Sequence, residues 1–437
     1  MAELAAMPKY ETYKYSGIDW IGEIPNEWNL VPGFRAYSQN KRNNKGLKEG
    51  RVLSLSYGNI IVKPKEKLVG LVPESFETYQ IVEPGDLIIR CMDLQNDKTS
   101  LRTGLAKDHG IITSAYLNLK INDNFDSKFL YYYLHSLDTT KVLYKFGTGL
   151  RQNLSFQDFN RLPVFDIPKS LQTAIVNFLD KKTGQIDEAI AIKEKQIGLL
   201  KERKQLIIQK AVTQGLNPEA PMKDSDVEWI GQTPEHWGVS KLRYLGVTQN
   251  GISAGAEYFG SGHPFVSYGD VYKNRELPLK VKGLAKSSIR DRKQYSIIEN
   301  DVLFTRTSET AEEIGFASIC MKTIDEATFA GFLIRFRPSN KLFKGYSKYY
   351  FNSAMMREYF VKEMNLVIRA SLSQELLKNL PVLLPSLDEQ EFIYNYLECE
   401  TGKIEDAIDL QVQQIKKLKE YKTTLINSAV TGKIKVS

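Results

Sequence analysis

After Pro168, and again after Pro385, apolar residues recur in alternating steps of four and three. In the first stretch Ile186, Ile190, Lys193, Ile197, Leu200, Lys204, Ile207 and Ala211 fall on one stripe, the inner seam of a heptad repeat. Ile404, Ile408, Gln411, Ile415, Leu418, Lys422, Leu425 and Ala429 repeat it, with the polar interruptions in phase. A lone amphipathic helix lying on a globular core gives no reason for polar residues to recur at the same levels. Polar seam residues at two fixed levels do set register and partner number. The pattern therefore predicts two long helices that pair with each other. Antiparallel pairing is the more natural arrangement, because each helix follows its own globular region and only a short polar link, 217–228, separates the two halves.

The regions before the helices carry a different rhythm. Short alternating stretches broken by Gly, Asn and Asp predict a mixed domain rich in strands. Ala115, Leu117, Leu119 and Ile121 alternate with polar residues, as do Phe332, Ile334 and Phe336, and both runs read as half-buried strands. Gly85-Asp86 and Asn300-Asp301 read as turns into the buried strands at Leu87 and Val302. A short aromatic helix is expected next, with Phe129, Tyr132 and Tyr133 in one half and Tyr346, Tyr349 and Tyr350 in the other. Steps of three and four put these rings on one stripe, which favours core packing over stacking on nucleobases.

The whole chain is thus a long internal repeat. Trp20-Ile21-Gly22, Pro25 and Trp28 recur 209 residues on as Trp229-Ile230-Gly231, Pro234 and Trp237. The offset is 211 at Ser56-Tyr57-Gly58 against Ser267-Tyr268-Gly269, and 218 at Arg151 against Arg369. Beyond Arg151 no further gap is needed, so constant ends flank a diverged interior. The expected fold class is α+β, with two pseudo-twofold-related globular domains, 8–168 and 229–385, separated by an antiparallel coiled coil of helices 169–216 and 386–434. The seam from Ile186 to Ala211 spans 25 residues, roughly 38 Å at ~1.5 Å per residue. One turn of duplex DNA is roughly 34 to 36 Å.

Composition adds an anionic partner and subtracts most chemistry. The formal charge of +7 on 437 residues and a pI near 8.9 point weakly to nucleic acid. Cys91, Cys320 and Cys399 are scattered, and the four histidines, His109, His135, His236 and His263, lack close spacing. Neither a disulfide framework, a metal ligand set nor a Ser-His-Asp arrangement is supported. There is no Asn/Asp-Pro-Pro-aromatic motif of an adenine methyltransferase and no phosphate loop of the Gly-x-x-x-x-Gly-Lys-Ser/Thr form. No apolar run approaches the roughly 20 residues of a membrane-spanning helix, and the N-terminus has no signal-peptide core. A cytoplasmic chain without membrane contact is expected.

The twofold plan, the Trp-Ile-Gly-x-x-Pro-x-x-Trp openings and the run Leu384-Pro385-Ser386-Leu387-Asp388-Glu389-Gln390 resemble the specificity subunit of type I restriction-modification systems. The likeness runs from Tyr15 to Lys435. The first copy departs from it at 167–172, where Lys169 and Thr173 match the acidic pair Asp388-Glu389 and its neighbours only loosely. The resemblance implies a noncatalytic reader of double-stranded DNA. Its two target-recognition domains would each read half of an asymmetric bipartite site, while the helix pair sets the spacer and docks two methyltransferase subunits. Restriction/translocase subunits would complete the assembly. S-adenosylmethionine, ATP and Mg²⁺ would serve those partners, and this chain would bind no cofactor. The rival expectation is a coiled-coil protein-interaction scaffold without sequence-specific DNA binding.

The family supplies no fixed base-reading positions, so candidates come from side-chain chemistry: Lys and Arg for phosphate, Asn and Arg for base edges. In the first domain they are Lys41, Arg42, Asn43, Lys45 and Arg51, then Tyr57 and Asn59, then Arg90, Lys98 and Arg102. In the second they are Tyr268 and Asp270, Lys273 and Arg275, Arg290, Arg292 and Lys293, and Arg306. Tyr57-Gly58-Asn59 and Tyr268-Gly269-Asp270 are expected at equivalent turns after a strand.

Overall fold

The computed structural model describes residues 7–64, 66, 75–94, 101–146, 153–308, 314–363 and 370–436; Arg151 and Arg369, which bound the repeated segment, lie outside them. The chain forms two compact units, Met1–Glu194 with Val412–Ser437, and Lys195–Gln411. Each unit combines one globular domain with the start of one long helix, Lys169–Gln214 or Leu387–Val430, and the end of the other.

In the first unit a four-stranded antiparallel sheet runs in the order Tyr37–Gln39, Leu117–Ile121, Leu87–Ile89, Thr103–Leu105. The alternation at 115–121 suggested a half-buried strand. Instead Leu117, Asn118 and Leu119 are all buried, because this strand is central and covered on both faces. Asn118 Nδ2 donates to the Ile81 carbonyl (3.4 Å). The helix Ser127–Thr139 follows, capped by Asp126, whose Oδ1 accepts from the Lys128 and Phe129 amides at 2.8 and 2.9 Å. Phe129, Tyr132 and Tyr133 lie in the core. The strand Pro163–Asp166 pairs with Asn29–Pro32 and leads into the first long helix.

The second unit has the same sheet order, Gly246–Asn250, Leu333–Pro338, Val302–Thr305, Ala317–Ile319. Its strand begins after Phe332, which is exposed and outside the expected alternation. Tyr346, Tyr349 and Tyr350 are again core residues. The strand Met222–Asp224 pairs with Gln232–Pro234, just as Tyr13–Tyr15 pairs with Glu23–Pro25 in the first unit. Part of the expected linker 217–228 is therefore a strand of the second domain's opening hairpin.

A buried glutamine fastens the start of each long helix. Gln172 Nε2 donates to the Ile167 carbonyl (2.8 Å) and Oε1 accepts from the Asp126 amide (2.8 Å). Gln390, 218 residues on, donates to the Lys341 and Pro385 carbonyls (3.0 Å each) and accepts from the Phe343 amide (2.8 Å). The loosely matching first copy thus keeps the one side chain of the motif that holds the junction. Just beyond it, Tyr132 Oη donates to Asp180 Oδ1 (2.8 Å), and Tyr349 Oη to Glu398 Oε1 (2.6 Å).

A glycine closes the far end of each helix. Gly215 (φ +73°) follows the first helix and Gly432 (φ +71°) the second, both in the left-handed conformation that ends helices. A Cβ on Gly432 would stand 2.6 Å from Pro25 Cδ and 3.2 Å from the Trp28 ring. On Gly215 it would meet the Trp237 ring at 3.2 Å. Trp28 and Trp237 are both 1 % exposed. The repeated tryptophan openings are thus sockets for helix ends.

The helix seam is antiparallel within each unit. In the first unit Ile186, Ile190, Ile415 and Leu425 are buried and Leu418 is half-buried. There Lys193 Nζ donates to Gln414 Oε1, and Lys422 pairs with Asp187 (2.7 Å). In the second unit Ile404 is buried, Ile197, Leu200, Ile207 and Ile408 are half-buried, and Lys204 pairs with Glu405. Lys204 and Lys422 are 218 apart, as are Asp187 and Glu405, so one ion pair is made twice. These pairs are partly exposed and weak; their worth is in register.

Two outcomes follow for stability. Gly432→Ala adds a Cβ to a crowded socket at positive φ and should cost about 2 kcal/mol or more, read as a lower urea midpoint. The second concerns His135, half-buried and stacked on Tyr131 (5.7 Å). Burial, aided by the Lys422 charge, pushes its pKa down to about 4. The unfolded imidazole takes its proton near pH 6.5 and the folded one only near 4, so stability falls as pH drops through that window, by about 3 kcal/mol. A pH series of urea midpoints should show this slope, and His135→Gln should flatten it.

Candidate nucleic-acid interface

The loop from Asn40 to Arg51 is fastened from within rather than loose. Asn44 is fully buried; its Nδ2 donates to the carbonyls of Glu49 (2.9 Å) and Phe76 (3.2 Å), and its Oδ1 accepts from the Glu49 amide (3.0 Å). Asn40 Oδ1 accepts from the Arg42 amide and Nε (2.9 and 3.0 Å). The Arg42 guanidinium reaches Asp86 Oδ2 (2.5 Å) and Glu83 (3.5 Å). Burial pushes the Asp86 carboxyl up, opposed by the Glu83 amide and Arg42. His109 stands between Glu49 and Glu83, 2.9 Å from each. Arg42 is therefore a brace whose charge two carboxylates offset. Lys41, Asn43, Lys45 and Arg51 face outward from the braced loop.

The next strands, Leu53–Ser56 and Asn59–Val62, form a hairpin with Tyr57 and Gly58 as its two-residue turn. Both turn residues have positive φ, 47° and 77°, a twist-matched turn that favours Asn or Gly at its first position. A tyrosine there costs on the order of 1 kcal/mol, and its ring is 87 % exposed. Asn59, also exposed, donates from Nδ2 to the Tyr57 carbonyl (3.3 Å).

Arg102 is a correction to the expected surface set. It is 0 % exposed. Its guanidinium donates to the carbonyls of Arg90, Met92 and Asp93 at 3.2, 2.6 and 3.0 Å, and its Nε to Tyr144 Oη at 3.2 Å. It holds a chain reversal together and leaves no donor facing outward. Arg90 is half-buried beside it. Lys98 lies outside the described residues.

In the second unit the repeated Ser-Tyr-Gly is no hairpin turn. Ser267 caps a helix, Tyr268–Lys273, and Asp270 Oδ2 accepts from the Ser267 amide and Oγ (2.8 and 2.7 Å). Asp270 is thus a capping residue, not a free acceptor for a base edge. Tyr268 stacks on Tyr272 (5.8 Å). Lys273 and Arg275 come together in a cleft of about 380 Å³ that Gln205, Phe316 and Arg357 also line. The Arg357 guanidinium is committed there, donating to the Ile314 and Gly315 carbonyls, which nothing in the sequence signals. Arg290 and Lys293 are exposed on the helix Ile289–Gln294, whereas Arg292 is half-buried beside Glu326 (3.2 Å). Arg306 is half-buried, and its backbone pairs with Phe332 and Leu372.

Two braced platforms with outward cations, on repeated domains carried by one helix pair, now have relatives to be set against. The family model for the type I restriction modification DNA specificity domain matches residues 234–420. The MjaVIII specificity subunit of Methanocaldococcus jannaschii is 23 % identical over 338 residues, 75 % of each chain. The putative MjaX specificity subunit of the same organism is 22 % identical over 446 residues, 95 % of this chain and 96 % of that one. Over its second half the chain thus matches the specificity domain of type I restriction-modification systems, and over most of its length it is similar to specificity subunits. Solved structures share the fold of this chain over nearly its whole length. One, described for complex assembly and conformational transition of a type I system, has a TM-score of 0.70 at 15 % identity, covering 93 % of this chain and 98 % of that one. The HsdS subunit of Thermoanaerobacter tengcongensis has a TM-score of 0.51 at 14 % identity, with coverage of 94 % and 98 %.

The cations divide into two classes that mutation separates. Arg102→Ala strands three backbone carbonyls and should cost about 3 kcal/mol or more in chemical denaturation. Lys41→Ala and Lys45→Ala should leave stability within ~0.5 kcal/mol and, where each meets a phosphate, lower the salt dependence of DNA binding by roughly one released ion.

Proposed function

We propose that this chain is the DNA-reading subunit of a cytoplasmic type I restriction-modification assembly, with each domain reading one half of an asymmetric bipartite target. One observation carries the asymmetry: the same Ser-Tyr-Gly builds a hairpin tip in the first domain and a helix N-terminus in the second. Two readers on a common sheet order therefore present different surfaces. The helix pair keeps the same fastenings in both copies, which suits a spacer-setting scaffold that two methyltransferase subunits dock on. Restriction/translocase subunits join that assembly. S-adenosylmethionine, ATP and Mg²⁺ act in those partners, and the specificity subunit itself contributes recognition rather than catalysis.

Among the described residues no helix is long and apolar enough to cross a membrane.

The scaffold reading is tested by length. Seven residues inserted at matched levels of both long helices lengthen each by about 10 Å, the rise of roughly three base pairs. Selection from a randomised duplex pool by the complex with methyltransferase subunits should return the same two half-sites with the spacer wider by about three. Unchanged spacing overturns the ruler. Sequence-independent binding by the unmodified complex favours an interaction scaffold instead.

A further inference from the structure

Tyr57 stands where neither folding force accounts for it. Its backbone is left-handed, a conformation that Asn or Gly adopts at less cost, and with 87 % of its surface exposed it contributes almost no burial. The hairpin beneath it is rigid. Leu53 and Ile60 are in the first-domain core, with Leu55 packed against it, and a Cβ on Gly104 would stand 2.7 Å from Leu55 and 2.8 Å from Ile60. Tyr131 Oη lies 3.5 Å from the Gly58 carbonyl, and Leu101 fills the space behind Gly58, 3.1 Å from where its Cβ would be. The tip is thus braced from behind and open in front. Asn59 and Ile61, the latter 47 % exposed, continue the outward face. The chain enters this hairpin from the loop that exposes Lys41, Lys45 and Arg51.

We propose that Tyr57 is the base-contacting wedge of the first domain. Its ring lies on the face of a base in the first half-site, and the Asn59 amide reads the neighbouring base edge. An aromatic face on a rigid ribbon, next to an amide that can pair with adenine and framed by phosphate-binding cations, fits duplex DNA. Leu53, Leu55 and Ile60 are held by the core, so the tip, Tyr57 with Asn59 beside it, is the part that reaches a base. This inference rests on the DNA-reading function proposed above and locates its sharpest contact.

The test exploits the opposed demands on the site. The complex with methyltransferase subunits first selects its target from a randomised duplex pool. The selected duplex is then labelled with 2-aminopurine at successive positions of each half-site, and binding is measured for the parent, Tyr57→Asn and Tyr57→Phe. Tyr57→Asn suits the turn better, so its melting temperature should hold or rise. Its affinity for the selected duplex should fall about 10- to 100-fold, and the rise in 2-aminopurine fluorescence confined to one half-site should vanish. Tyr57→Phe should keep affinity within about 3-fold. Affinity of Tyr57→Asn within 2-fold of the parent, or a fluorescence response that survives it, overturns the wedge while leaving the DNA-reading function intact. A parent that selects no sequence overturns that function, and the wedge with it.

Discussion

The constraint on which this architecture depends is that each long helix is held at both ends by buried contacts that tolerate almost no change of shape. A glutamine with its amide groups spoken for seats the start, and a glycine pressed against a tryptophan ring seats the finish. The second helix ends in the socket of the first domain, where the Lys435 amide also donates to the Pro8 carbonyl (2.7 Å). The first helix ends in the socket of the second. No domain is therefore complete with its own helix alone. Each needs the end of the helix that follows the other domain.

That arrangement separates what must stay from what can vary. The sockets and the seated glutamines lie on surfaces that helices cover, and the doubled lysine–carboxylate pair flanks the seam. The loops beyond the sheets answer to none of them. Hence the sheet order is kept while the elements on it differ: a hairpin and a braced acidic–basic loop in the first domain, two short capped helices in the second. A one-residue change in a socket would disturb a helix end, whereas a whole hairpin can be exchanged for a helix without touching the scaffold.

The seam was legible because its signal is periodic and made of residues that have only one comfortable place to be. Ile186, Ile190 and Ile404 are buried where the heptad puts them. The doubled domain was legible for the same reason, since offsets survive divergence. What could not be read was the fate of individual polar side chains. Arg102 looks like Arg51 in the sequence, yet one threads the core against three carbonyls and the other faces water. Nothing local separates them, because the partners of Arg102 are backbone atoms brought near by a chain reversal. Strand alternation misled at Asn118, which is buried because its strand is central, and at Phe332, which is exposed because the strand begins one residue later. Gln172 went unrecognised because its neighbours had diverged, although its bonds to the Ile167 carbonyl and the Asp126 amide survive.

The same contrast explains where reading residues should be sought in such a chain. A side chain explained by its own fold, as Arg102 is by carbonyls and Asp270 by a cap, has little left to offer a ligand. A side chain that the fold leaves unexplained is the better candidate, and more so where keeping it carries a conformational cost. Charge alone does not discriminate, since Arg42 is as cationic as Lys41 and is already committed to Asp86. Exposure alone does not either, because single apolar residues are common on any surface. The two together, an exposed ring on a braced turn that disfavours it, are what set Tyr57 apart from its counterpart Tyr268, whose ring already has Tyr272 to stack on.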